Sequence, residues 1–164
     1  IVTIFCTVTI APAEVSEDVA KEAHELALRL AQGFELAGIL AIELFVTKDE
    51  RVIVNELAPR PHNSGHYTIE ACSFDQFDAH IRGIAGWPLE QPELLKPAVM
   101  VNVLGQHVAP TRALIAEHPE WNMHDYCKAE VRHDRKMGHI TVLTDDTRQT
   151  VADLERTGCW DDLK

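Results

Sequence analysis

The chemistry legible in this chain is concentrated in two glutamates and the short loop that follows the second. Residues 38–46 and 51–57 are rich in apolar and β-branched types and read as two strands, joined through Lys48-Asp49-Glu50-Arg51 as a hairpin. Side chains alternate along a strand, so Ile39, Ala41, Glu43 and Phe45 share one face, and Val52, Val54 and Glu56 share another. Pairing Thr47 with Val52 sets Glu43 directly opposite Glu56, with β-carbons ~5 Å apart. Two carboxylates so placed on an otherwise apolar face repel each other unless a cation lies between them. Mg²⁺ suits the arrangement, because it takes one or two carboxylates and completes its shell with phosphate oxygens and water. The competing reading turns one glutamate to solvent and pairs the other with a Lys or Arg.

Behind Glu56 comes Ala58-Pro59-Arg60-Pro61-His62-Asn63-Ser64-Gly65-His66. The prolines restrict the backbone, as suits a loop that holds polar groups in place. Arg60 offers a bidentate grip on a carboxylate or phosphate, and His62 a proton near neutral pH. A zinc reading of His62 with His66 is short of ligands, since only Glu70 or Cys72 follows closely. Asn63 or Ser64 also suits the N-cap of the next helix, whose N-terminus is itself an anion site.

The positioning elements follow from periodicity and punctuation. Residues 7–11 read as a strand closed by Pro12. Ser16 caps a helix whose apolar stripe runs from Val19 to Ala31, with Gly33 near its end. Residues 67–84 carry helical spacing (Ile69, Cys72, Phe77, Ile81, Ile84), divisible into two short helices and ended by Gly86-Trp87-Pro88. Beyond a boundary near residues 88–97, Ala98 to Leu104 reads as a strand, followed by a Pro-containing polar stretch. A further strand is expected at 139–143, and then a helix over 147–155 capped by Thr147. Trp87, Trp121 and Trp160 read as packing residues. His80, His107, His118 and His124 receive no role.

The net charge of −11 argues against broad binding to nucleic acid or anionic membrane. No apolar run approaches the ~20 residues of a membrane helix, and residues 1–10 lack the features of a signal peptide. The expected setting is therefore cytoplasmic. Cys6, Cys72, Cys127 and Cys159 lack metal-site or disulfide-scaffold spacing and read as reduced thiols. The chain starts without Met inside a β-like run and holds no Gly-rich phosphate loop, which makes it read as a piece of something longer.

The run from Asn55 to Thr68, with Glu70-Ala71-Cys72, Gln76-Phe77 and His80, closely resembles the N5-carboxyaminoimidazole ribonucleotide synthetase family. Ala41-Ile42-Glu43-Leu44-Phe45 resembles the strand carrying that family's first metal glutamate. Ala98 to Gly105 and Lys128 to His139 resemble its C-terminal domain. The likeness extends from about Thr7 to the end. The sibling formate-dependent glycinamide ribonucleotide transformylase is similar here, but typically has Asp-Thr-Gly-Met where this chain has Asn63-Ser64-Gly65-His66.

The resemblance implies an α+β fold: residues 1–90 as the C-terminal portion of an ATP-grasp domain, an antiparallel sheet with helices, and 91–164 as a small β-rich C-terminal domain. It implies an ATP-dependent carbon–nitrogen ligase of purine biosynthesis that joins bicarbonate to 5-aminoimidazole ribonucleotide through carboxyphosphate. ATP and Mg²⁺ are the implied cofactors, and the full-length protein is expected to be a homodimer. Glu43 and Glu56 would hold the metal, with Asn55 and Glu56 beside the nucleotide. Arg60, His62 and Asn63 would be catalytic, while Lys128, Arg135 and Ser64 would bind substrate. Many ATP-grasp proteins place Asn two residues after the second glutamate. Here that position is Ala58, which leaves more of the metal shell to phosphate and water. The ATP-contacting lysines and Gly-rich loop of the family are absent, so these residues alone are expected to be inactive. The alternatives are an ATP-grasp-like binding module without catalysis, or the transformylase sibling.

Overall fold

The computed structural model describes residues 7–160; Cys6 and the chain's first apolar residues lie outside that range. In chain order the elements are β1 (Val8–Ala11), α1 (Glu17–Gly33), β2 (Ala41–Val46), β3 (Val52–Ala58), α2 (Thr68–Ala71), α3 (Gln76–Ala85), β4 (Ala98–Leu104), α4 (Val108–Leu114), β5 (Asn122–Asp125), β6 (Lys136–Leu143) and α5 (Thr147–Arg156). Helices and antiparallel strands alternate irregularly, which makes the fold α+β. Two compact units result. One comprises Ala13–Ile69 with Ser73–Glu93, and the other the described residues up to Pro12, Glu70–Cys72 and the described residues from Leu94 onward.

The first unit is built on the β2–β3 hairpin. α1 begins where the Ser16 hydroxyl accepts from the Val19 N–H, and Glu17 and Asp18 occupy the positive end of its dipole. Between the two strands the chain turns through Thr47–Arg51, with Glu50 at φ 58° in the left-handed region. Thr47 stabilises this turn, its hydroxyl accepting from the Arg51 N–H at 3.0 Å. Asp75 caps α3 by accepting from the Phe77 and Asp78 N–H groups, and left-handed Gly86 ends it. Gly38 (φ 101°) is required by close approach, because a β-carbon there would lie 2.7 Å from His80 Nδ1. His80 accepts from the Ile39 N–H at 3.1 Å and so fixes the entry to β2.

The second unit is a four-stranded antiparallel sheet in the order β1-β4-β6-β5. All seven residues of β4 are buried. Val99, Val101 and Val103 pack with Trp121, Ile140, Val142, Leu154 and Trp160 in one apolar cluster. The Trp160 indole is 1% exposed and donates to the Asn102 carbonyl at 3.0 Å, so its one polar atom is satisfied in the core.

Several expectations need correction. Trp87 is 63% exposed and is no core residue, whereas Trp121 and Trp160 are buried. Asp146, not Thr147, caps α5, because its carboxylate accepts from the Gln149 N–H. The polar stretch after β4 holds α4 and β5. Pro110 sits in the first turn of α4, where a missing N–H costs nothing. β6 begins at Lys136, three residues before the expected start.

Candidate functional site

The hairpin register explains how the two glutamates meet. Val46 pairs with Val52 and Leu44 with Val54, so the strands run one residue out of the register expected from Thr47 and Val52. A β-bulge then adds Asn55 to β3, and Glu43 pairs with Glu56 after all. The bulge turns Asn55 to work: its amide donates to Glu43 Oε2 at 3.1 Å. Glu43 Oε1 lies 3.7 Å from His62 Nε2, beyond hydrogen-bond range. Glu56 is exposed and has no hydrogen-bond or ion-pair partner among the described residues. Two facing carboxylates, one held by an amide and one open, form a donor set that fits a hard divalent cation sharing its shell with phosphate. No group of three His, Cys, Asp or Glu side chains gathers for a metal among the described residues.

The Arg60–His66 loop is ordered by its own contacts. Asn63–Gly65 form a short 3-10 turn capped by His62, not by Asn63 or Ser64. His62 Nδ1 accepts from the Ser64 N–H at 3.4 Å and lies 2.9 Å from the Ser64 hydroxyl. That bonding assigns the ring proton to Nε2, on the side of Glu43. Arg60 is exposed, and its guanidinium donates to the Pro61 carbonyl.

Gln76, which carries no role in the sequence reading, clamps this loop. It is 5% exposed, its Oε1 accepts from the His62 N–H at 2.8 Å, and its Nε2 donates to the His62 carbonyl at 2.9 Å. The same Nε2 lies 2.8 Å from His66 Nδ1, so His66 is engaged by Gln76, and its ring stacks on Phe77. No local pattern in the sequence marks this pairing across 14 residues; only the tertiary contact reveals it.

In the second unit, Lys128 follows β5 and Arg135 precedes β6. Lys128 Nζ lies 2.5 Å from the Lys136 carbonyl and 5.4 Å from the centre of the Tyr126 ring. Arg135 donates to the Glu130 carbonyl at 3.3 Å. β5 is anchored by Asp125, which accepts from Arg112 at 2.7 Å. Hydrogen bonds from Arg112 and from the Cys127 N–H hold its carboxyl below the usual carboxylate range. That stabilisation is present above the ordinary Asp pKa and is lost as pH falls through the depressed one.

Cys72, Cys127 and Cys159 are free thiols. Burial pushes the Cys72 thiol up, which reduces its thiolate at neutral pH, and Cys159 is enclosed in the core. Iodoacetamide at about pH 7.5 is therefore expected to alkylate exposed Cys127 before the other two. Peptide mass mapping of the full-length protein checks the order.

Comparison with known proteins agrees with this geometry. Residues 3–77 match the ATP-grasp domain family, and residues 98–153 match the phosphoribosylaminoimidazole carboxylase C-terminal domain family. The chain is 46% identical over 143 residues to the N5-carboxyaminoimidazole ribonucleotide synthase of Staphylococcus saprophyticus, covering 87% of this chain and 38% of that protein. A crystal structure of an N5-carboxyaminoimidazole ribonucleotide synthetase in complex with ADP superposes with a TM-score of 0.93 at 41% identity, over 98% of this chain and 42% of that one. The Aspergillus clavatus synthase in complex with ADP and 5-aminoimidazole ribonucleotide superposes with a TM-score of 0.85 at 33% identity, over 94% and 43%.

Matched family, paired glutamates and ordered loop define an ATP-grasp protein. The chain belongs to the N5-carboxyaminoimidazole ribonucleotide synthetase family. It spans about two fifths of the length of the relatives it matches. No helix among the described residues is long and apolar enough to cross a membrane.

Proposed function

We propose that the protein carrying this chain is an ATP-dependent ligase that carboxylates the exocyclic amine of 5-aminoimidazole ribonucleotide with bicarbonate. The observation that carries the reading is the Glu43–Glu56 pair, set face to face by a bulge and adjoining the Arg60–His66 loop in chain and in space. Residues 1–90 supply the metal and carboxylate chemistry, and 91–164 the nucleotide phosphate site. The protein acts in the cytoplasm as a homodimer.

Bicarbonate is a poor electrophile, so ATP is consumed to give it a leaving group. A bicarbonate oxygen attacks the γ-phosphorus, and ADP leaves. The resulting carboxyphosphate breaks its C–O bond to release CO₂ beside the amine, which adds to the carbon and loses a proton. Glu43 and Glu56 would hold Mg²⁺, which would supply neutralisation of phosphate charge. Asn55 holds Glu43 in position and lines the nucleotide side. Arg60 and Asn63 hold the bicarbonate and then the carboxyphosphate. The Nε2–H of His62 faces the same space and handles the proton, with Ser64 fixing the ring. Lys128 and Arg135 grip the ribonucleotide phosphate.

The test is isotopic. With ¹⁸O-bicarbonate, the attacking oxygen remains on phosphorus when the C–O bond breaks, so inorganic phosphate is expected to carry one labelled oxygen. Unlabelled phosphate during turnover would exclude carboxyphosphate.

A further inference from the structure

Within the second unit, one chain of contacts leads from a buried carboxylate to the ammonium assigned above to the nucleotide phosphate. Glu70, on α2, is stitched into this unit by the Cys72–Leu94 bridge and by the Leu95 N–H donating to the Ala71 carbonyl at 2.7 Å. Its side chain is 14% exposed, and its Oε1 lies 2.5 Å from His124 Nε2. Its Oε2 is buried and finds no hydrogen-bond partner among the described residues. His124 pairs across the sheet with His139, and their rings stack 4.5 Å apart. Gly138 permits that approach, since a β-carbon there would lie 2.3 Å from the His124 carbonyl oxygen. His139 Nδ1 lies 2.9 Å from the Tyr126 hydroxyl, and the Tyr126 ring lies beneath Lys128.

His124 and Tyr126 alternate along β5 and its continuation, and after a left-handed turn at Cys127 (φ 51°) Lys128 brings its ammonium back over the Tyr126 ring. A carboxylate with one oxygen buried and unpaired is costly, and apolar packing alone would not call for it. The contacts that lead away from it, a ring stack, the Tyr126–His139 hydrogen bond and the Tyr126 ring under Lys128, hold these side chains in fixed rotamers.

We propose that Glu70 is a positioning residue for the nucleotide phosphate site: through His124, His139 and Tyr126 it fixes the place of Lys128. The proposal rests on the reading of Lys128 given above. An ionised Glu70 only accepts, so His124 presents its Nε2–H to it and the ring is locked in one orientation.

The test is steady-state kinetics of the full-length protein and of its Glu70→Gln, Tyr126→Phe and Lys128→Ala variants, with Glu70→Gln also combined with Lys128→Ala. Lys128→Ala is expected to raise KM for 5-aminoimidazole ribonucleotide about 10- to 100-fold. Glu70→Gln and Tyr126→Phe should each raise it about tenfold, with kcat and KM for ATP within about twofold of the parent. In the double variant, Glu70→Gln should add nothing to Lys128→Ala. An unchanged KM in Glu70→Gln, beside a raised one in Lys128→Ala, would overturn the proposal alone. Additive effects, or equal losses in kcat and in both KM values, would also overturn it by revealing a general structural role. No effect of Lys128→Ala would overturn the phosphate reading and the proposal with it. Tyr126→Phe removes only a hydroxyl and keeps the test decisive if Glu70→Gln folds poorly.

Discussion

Glu43→Gln in the full-length protein is expected to lower ADP-forming turnover by roughly 1000-fold, about 4 kcal/mol of barrier. The change keeps shape and an acceptor for the Asn55 amide, so the hairpin stays intact. What is lost is one of two negative charges that hold a divalent cation against polyphosphate. Glu56→Gln should do the same, and because Glu56 is exposed and unpartnered among the described residues, the melting temperature should hardly change. Loss of turnover without loss of stability separates metal binding from the alternative in which one glutamate simply faces solvent. Steady-state ADP release with a magnesium titration reads both variants. Near-normal turnover in either would remove that residue from the metal site.

Gly105→Ala is expected to destabilise the protein by about 3 kcal/mol and to raise KM for the aminoimidazole nucleotide. Gly105 follows β4, and a β-carbon there would lie 1.9 Å from the Arg132 carbonyl oxygen and 2.5 Å from its carbon. Both are backbone atoms, so no rotamer relieves the clash. The loop over Gly105 is tied down by Gln106, whose amide donates to Asp134 Oδ1 at 3.0 Å and accepts from the Asp134 N–H at 2.9 Å. Moving Arg132 therefore moves the segment between Lys128 and Arg135. Thermal denaturation and substrate kinetics check the two effects. If KM for ATP rose instead, the segment would belong to the wrong substrate.

The sequence made the hairpin, its glutamates and the loop legible because each leaves a local trace. Alternation marks strands, a polar tetrapeptide marks the turn, and paired prolines mark the loop. The bulge at Asn55 left no such trace. An extra strand residue changes the pairing count but not the apolar pattern, so the expected register was one residue off near the turn and correct at Glu43. β5, Asn-Met-His-Asp, is too polar to resemble a strand; it holds its place through pairing with β6. Gln76 and Glu70 were opaque for another reason. Their partners His62 and His124 lie 14 and 54 residues away, and nothing in composition marks such pairs. Trp87 shows the opposite error, in which a residue type usually packed inside stands in solvent.

The most direct test of the central claim is ADP release by the full-length protein with ATP, Mg²⁺ and bicarbonate, with and without 5-aminoimidazole ribonucleotide. Release that depends on the aminoimidazole nucleotide is the predicted result. Release that instead requires glycinamide ribonucleotide and formate would contradict it and assign the chain to the sibling reaction.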